Sequence, residues 1–140
     1  MRLSEKGSFA PRPRLEGVSE ELAQAIELWP DVLARTHWEL GDERVVDGAD
    51  FYVGQRELGH IHLYREAHIA VPRALRNALI AAGLAAEFPY SAAFVLKRLR
   101  TKQAALEAKW IFELAYEHVR GRSVPALLLR VDAKAALELA

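Results

Sequence analysis

A chain of 140 residues with 51% hydrophobic and 27% charged side chains has room for one globular domain and its core, not for two. Its 19 basic residues balance 19 acidic ones, so no overall field draws it to nucleic acid or to an anionic membrane. The absence of cysteine excludes disulfides, thiolate metal sites, iron–sulfur clusters and cysteine nucleophiles.

Residues 1–17 hold Pro11, Pro13, two glycines and the basic Arg2, Lys6, Arg12 and Arg14, with little apolar patterning, and read as a flexible N-terminal arm. They carry no apolar stretch of the secretory type, and no apolar run in the chain approaches the ~20 residues of a membrane span. A cytoplasmic location is therefore expected. Ser19 has the chemistry of a helix N-cap, with Glu20 and Glu21 in the first turn and an apolar stripe of Leu22, Ala25, Ile26 and Trp29 ending at Pro30.

The segment Val32 to Leu40 mixes apolar and polar residues as a strand does. Gly41-Asp42 and Asp47-Gly48 read as turns around Val45-Val46, and Asp50 to Val53 as a further strand turning at Gly54-Gln55. Arg56 to Tyr64 follows as a strand, and Ala67 to Val71 pairs with it through a tight turn at Arg65-Glu66. Val32–Val71 is thus an antiparallel meander. Pro72 opens a helix bearing Leu75, Ala78, Leu79 and Ala82, stopped by Gly83. Ala92 to Leu99 reads as a strand. Thr101 caps the strongest helix, with Leu106, Trp110, Leu114 and Ala115 at helical spacing and Gly121 at its end. Leu127-Leu128-Leu129 fits strand or helix, and Asp132–Ala140 reads as helix. The order predicts a single α+β domain, an antiparallel β-meander with helices packed on one face. A core domain over 18–122 lies between the arm, 1–17, and a C-terminal extension over 123–140 that reads as helical.

Read at a period of two, Arg56–Tyr64 puts His60 and His62 on one face, flanked by Leu58 and Tyr64, with Ile61 and Leu63 turned to the core. His68 falls on the next strand. Three chemistries follow from such a face. A His-x-His pair chelates a metal if His68, Glu57 or His37 supplies a third ligand. Alternatively, imidazoles that titrate near neutrality take a proton from an acidic substrate while a neighbouring ring or phenol holds the anion. Or the rings are structural, bonded to backbone or solvent. No carboxylate stands at the fixed spacing of the helical zinc-protease pattern, and no metal is expected.

Elsewhere the chemistry is sparse. Trp29, Trp38, Phe51, Phe94, Trp110 and Phe112 read as core, His118 as a packing residue near a helix C-terminus, and Lys97, Arg98, Arg100 and Lys102 as a solvated cluster. The chain has no Gly-x-Ser-x-Gly elbow and no glycine-rich phosphate loop.

The succession Trp29-Pro30-Asp31-Val32, Arg56-Glu57-Leu58-Gly59-His60-Ile61-His62, Ile69-Ala70-Val71-Pro72-Arg73 and Trp110-Ile111-Phe112-Glu113-Leu114-Ala115-Tyr116-Glu117 resembles the luciferase domain family, named after the fungal luciferase. The resemblance runs from about Val18 to Arg120 and is most specific at Arg-Glu-x-Gly-His-x-His. The fungal enzyme oxidises a hydroxylated pyrone with molecular oxygen without metal or flavin: a base deprotonates an electron-rich enol, and the anion reacts with oxygen. The resemblance carries over His60, His62 and His68. At Glu87-Phe88-Pro89-Tyr90 the chain departs from relatives that place a histidine there.

The combined expectation is a histidine-lined small-molecule site serving a cofactor-free oxygenase or a proton-transfer enzyme on an enolisable aromatic compound. His60, His62 and His68 are the catalytic candidates, and Arg56, Glu57, Tyr64 and Trp38 the ligand-binding ones. The alternatives are a non-catalytic ligand-binding or interaction module dimerising through the sheet, and a His-x-His metal site. The expected partner is a small aromatic ligand, not nucleic acid or membrane, and no cofactor is expected.

Overall fold

The computed structural model describes residues 2–40 and 42–139. Within them six strands form one antiparallel sheet in the order β1-β2-β3-β4-β6-β5, and four α-helices accompany it. In chain order these are α1 (Val18–Glu27), β1 (Val32–Glu39), β2 (Asp42–Val53), β3 (Arg56–His62), β4 (Glu66–Ala70), α2 (Arg73–Ala81), β5 (Ala86–Glu87), β6 (Phe94–Arg98), α3 (Lys102–Val119) and α4 (Val124–Leu139). This is the expected α+β meander with helices on one face. Gly41 of the expected Gly41-Asp42 turn lies outside the described residues, as do Met1 and Ala140. No described helix is long and apolar enough to cross a membrane.

One face of the sheet is the core. Alternation along β3 and β4 turns Ile61, Ala67 and Ile69 toward the helices, where Phe112 and Ile111 of α3, Leu75 and Leu79 of α2, and Ile26 of α1 meet them in one buried cluster. Phe51 and Phe112 pack edge to face with centroids 6.0 Å apart. The ambiguous Leu127–Leu129 segment is helical, and Leu127 and Val131 of α4 join the same core.

Several local expectations are corrected. The α1 N-cap is Gly17, at φ 52°, and Ser19 is buried one residue inside the helix. Leu106 is 53% exposed, and the face α3 buries is Ala105, Ala108, Ile111, Phe112, Leu114 and Ala115, which keeps the expected Leu114 and Ala115. Asp47-Gly48 is not a turn. It lies within the continuous β2, where the pairing with β1 jumps from His37↔Gly48 to Trp38↔Val46 and leaves Asp47 as an extra residue. A strand of this length tolerates an Asp-Gly pair because the bulge uses the positive φ (152°) that Gly48 supplies.

Residues 2–17 lie against the sheet. Thr36 donates from its backbone to the Ala10 carbonyl, and its hydroxyl donates to the Pro11 carbonyl. Arg12 forms a fork with Glu20 and reaches Glu27, each contact at 2.8 Å. Leu15 is buried in the core.

Candidate functional site

A second bulge builds the site. Between β2 and β3 the pairing passes from Phe51↔Gly59 to Tyr52↔Glu57, so Leu58 is an extra residue. A one-residue slip reverses side-chain faces. Leu58 therefore turns into the core rather than flanking the histidines, and Glu57 turns onto the face of His60 and His62. Gly59 sits beneath α3, where a Cβ would approach Phe112 Cε1 to 2.8 Å and the His68 carbonyl to 2.5 Å. Strand β3 ends at His62. Leu63, expected in the core, is 45% exposed in the following turn, and Arg65 there adopts φ 63°.

The register then brings the imidazoles together. His60 pairs across the sheet with His68 on one side and Asp50 on the other, while Gly48 lies between His37 and His62. With no side chain at Gly48, the His37 and His62 rings approach to 5.0 Å. His37 stacks on His60 at 4.1 Å and 6°. His60 Nε2 and His62 Nε2 each lie 3.1 Å from His68 Nδ1. The structure thus unites His60, His62 and His68 as expected and adds His37 from β1.

Each ring has its own carboxylate. His60 Nδ1 faces Glu57 Oε2 at 2.6 Å, His62 Nδ1 faces Asp47 Oδ2 at 2.9 Å, His68 Nε2 faces Glu66 Oε1 at 2.9 Å, and His37 Nδ1 faces Asp50 Oδ1 at 2.7 Å. Lys6 stands behind two of them, 3.3 Å from Asp50 and 4.0 Å from Glu57. Tyr52 hydrogen-bonds Glu57 from the buried side, and its phenol is pushed up by burial and by the Glu57 and Asp50 charges. For Glu57, burial favours the neutral acid, but the bond to His60 and the charge of Lys6 prevail and hold the carboxyl below its usual range.

His60, His62 and His68 are all buried. Burial, followed by the neighbouring imidazoles, pushes His62 down to about 2, so its ring is neutral at physiological pH. Burial also lowers His68, against the pull of Glu66. His62 therefore presents a neutral imidazole to the cavity.

Above the rings is a cavity of about 1090 Å³. Its floor is His37, His60, His62, His68, Glu57 and Glu66, and its walls include Trp38, Leu40, Tyr64, Phe88, Phe94 and Leu96, with Glu5 and Lys6 from the N-terminal segment. Tyr64 stacks on His62 at 4.7 Å and Phe88 tilts over His68 at 4.4 Å. Trp38, grouped with the core aromatics but also a ligand-binding candidate, lines the cavity and donates from Nε1 to the Ser8 carbonyl at 2.9 Å; Phe94, expected as core, also lines the cavity, whereas Phe51 and Phe112 are core. Of the ligand-binding candidates, Glu57, Tyr64 and Trp38 line this cavity. Arg56 does not: it is exposed at the start of β3 and absent from the lining.

Asp47, Asp50, Glu66 and Lys6 were not singled out from the sequence. Their placement depends on which strands pair and where they bulge. The one signal available was local: Glu66 stands two residues before His68, the same-face spacing within a strand.

A single α+β domain with a carboxylate-backed histidine cluster at the floor of an aromatic cavity is the class that fold and site define. Residues 55–115 match the Luciferase domain family, the family the sequence resembles. The matched span carries Glu57, His60, His62, Glu66, His68, Phe88 and Phe94, while Lys6, His37, Asp47 and Asp50 lie before it. Searches of the curated proteins and of the solved structures each returned no match.

Proposed function

We propose that the cavity binds a planar, largely apolar molecule with an acidic hydroxyl, and that the histidine cluster removes that proton and holds the resulting anion. The observation that carries this reading is the pairing of carboxylate-oriented imidazoles with aromatic walls in one cavity. Such walls bury a flat ring, and the few convergent polar groups fix its hydroxyl. His60 is suited to accept the proton, since Glu57 fixes its Nδ1–H, leaves Nε2 as the base and offsets the positive charge that forms. Tyr64, stacked on His62 at the rim, is placed to donate a hydrogen bond to the anion.

The likeness to the Luciferase domain family points to a carbon acid or enol of the pyrone or phenol type, whose anion is electron-rich enough to react with molecular oxygen. Oxygen uptake with a panel of hydroxypyrones and phenols tests the proposal on wild-type protein and His60→Ala. Uptake with at least one compound, reduced ~100-fold or more in the variant, is the expected result. Equal uptake by the two proteins would remove the catalytic reading.

A further inference from the structure

Lys6 belongs to a segment that reads as a flexible arm, yet its side chain is only 13% exposed and lines the cavity. Burying an ammonium is costly unless carboxylates receive it. Two do, Asp50 through Oδ2 at 3.3 Å and Glu57 through Oε1 at 4.0 Å. The segment is pinned on both sides of Lys6. Leu3 and Ser4 donate from their backbones to Gln55, while the Ser8 carbonyl accepts from Trp38 and the Ser8 hydroxyl donates to Glu43. Arg35, opposite Asp50 in the β1–β2 register, gives its guanidinium to the same Ser8 carbonyl.

The other oxygen of each carboxylate faces a ring. Asp50 Oδ1 lies 2.7 Å from His37 Nδ1, Glu57 Oε2 lies 2.6 Å from His60 Nδ1, and the two rings stack at 4.1 Å. Each carboxylate is therefore shared between an imidazole and the ammonium of Lys6. The carboxylates favour a proton on the stacked pair, and Lys6, one carboxylate away, opposes it. His60 is also faced by Asp50 from β2 at 4.0 Å, by His62 on its own strand and by His68 from β4, with Phe94 of β6 against its ring. Among these described neighbours Lys6 alone carries a permanent positive charge. A base already protonated when the ligand arrives cannot take the ligand's proton, so the balance between these charges decides whether His60 can act.

We propose that Lys6 is a positioning residue for the proton transfer: acting through Asp50 and Glu57, it keeps His60 free of a proton until the ligand's hydroxyl supplies one. The O–H bond then breaks with its electron pair left on oxygen, the proton joins His60 Nε2, and the imidazolium rests against Glu57. The inference rests on the small-molecule reading above. It adds that a residue outside the matched span of 55–115 sets the working range of the base.

The test titrates the full chain without ligand, its histidine rings labelled with nitrogen-15, as wild type, Lys6→Met, Lys6→Gln, Lys6→Arg and Lys102→Met. The protonation midpoint of the His37–His60 pair should rise by about one pH unit or more in Lys6→Met and Lys6→Gln. It should return to the wild-type value in Lys6→Arg and stay unmoved in Lys102→Met, whose lysine is exposed at the start of α3. With any compound the wild type oxidises, the acid limb of the pH profile should move up by the same interval in the two neutral variants. On that limb kcat falls ~10-fold while KM hardly changes. Met and Gln differ in polarity, so a packing fault in one leaves the other to decide. A lower melting temperature with an unmoved midpoint marks a merely structural lysine and overturns the proposal, as does one midpoint common to wild type and the neutral variants. If the midpoint moves but the wild type oxidises no compound, the function proposed above fails and the control of the pair by Lys6 stands. If the wild type oxidises a compound and the neutral variants keep its midpoint and pH profile, that function stands and this inference falls.

Discussion

Leu58 and Glu57 exchange faces at a β-bulge: Leu58 enters the core, and Glu57 reaches His60 Nδ1 at 2.6 Å. In a regular strand Glu57 would lie on the helix side of the sheet and His60 would lack its carboxylate. The bulge thus places a buried charge where His60, Lys6 and Tyr52 can all meet it.

Removing that charge strands its partners. Glu57→Ala should cost about 2–4 kcal/mol of unfolding free energy, because buried donors on His60 and Tyr52 lose their acceptor. Urea denaturation with the variant and wild type at the same pH measures it. A loss under about 0.5 kcal/mol would mean that Glu57 is not the anchor of the cluster.

Gly48 and Gly54 both have positive φ, but their surroundings differ. A Cβ on Gly48 would lie 2.0 Å from the Ile61 carbonyl, whereas one on Gly54 meets nothing within 4 Å. Gly48→Ala should therefore destabilise by ~3 kcal/mol or more and disturb the His37–His62 contact, while Gly54→Ala costs only the backbone strain of about 1 kcal/mol. Thermal melts of both variants would reveal the ordering; equal losses would refute the bulge geometry.

Much of this was legible in the chain. Period-two patterning placed His60, His62 and His68 on adjacent strands, and Thr101 and Pro72 marked helix starts that the structure keeps. The bulges at Asp47 and Leu58 were not legible, because a bulge is a mismatch between two strands and neither strand alone records it. Leu58 was consequently assigned to the wrong face and Asp47-Gly48 to a turn. The carboxylate partners followed the same fate, since Asp47 and Asp50 reach the histidines only through pairing between strands distant in sequence. Phe94 looked like core because composition does not distinguish an aromatic that fills a core from one that walls a cavity.

The Arg12–Glu20 pair makes stability acid-sensitive. The bidentate guanidinium holds the Glu20 carboxyl down, at about 2 against a usual 4.5, despite burial. A depressed folded-state value contributes stability above the unfolded value, and that contribution fades as pH falls from about 4.5 toward 2. Wild type should thus lose on the order of 2 kcal/mol over that window through this group. Glu20→Gln should be less stable at neutral pH and flatter across it. Parallel denaturation curves from pH 5 to pH 2.5 would contradict the assignment.

Tyr64 is 60% exposed, so its variants should fold. Tyr64→Phe keeps the stack on His62 and removes the hydroxyl. Affinity for an acidic hydroxyl compound should fall about 5- to 10-fold, roughly 1 kcal/mol, with unchanged melting temperature of the free protein. Calorimetric titration checks it, and an unchanged affinity would confine Tyr64 to stacking.

The central claim, that the histidine cavity is where this chain binds its small molecule, is tested most directly by nitrogen-detected NMR of the imidazole rings. Labelled protein would be titrated with a hydroxypyrone or phenol that stabilises it in a thermal screen. The account predicts that the ring nitrogens of His37, His60, His62 and His68 shift together while His118, near the far end of α3, stays fixed. A binding compound that leaves those four rings unmoved, or moves His118 instead, would contradict it.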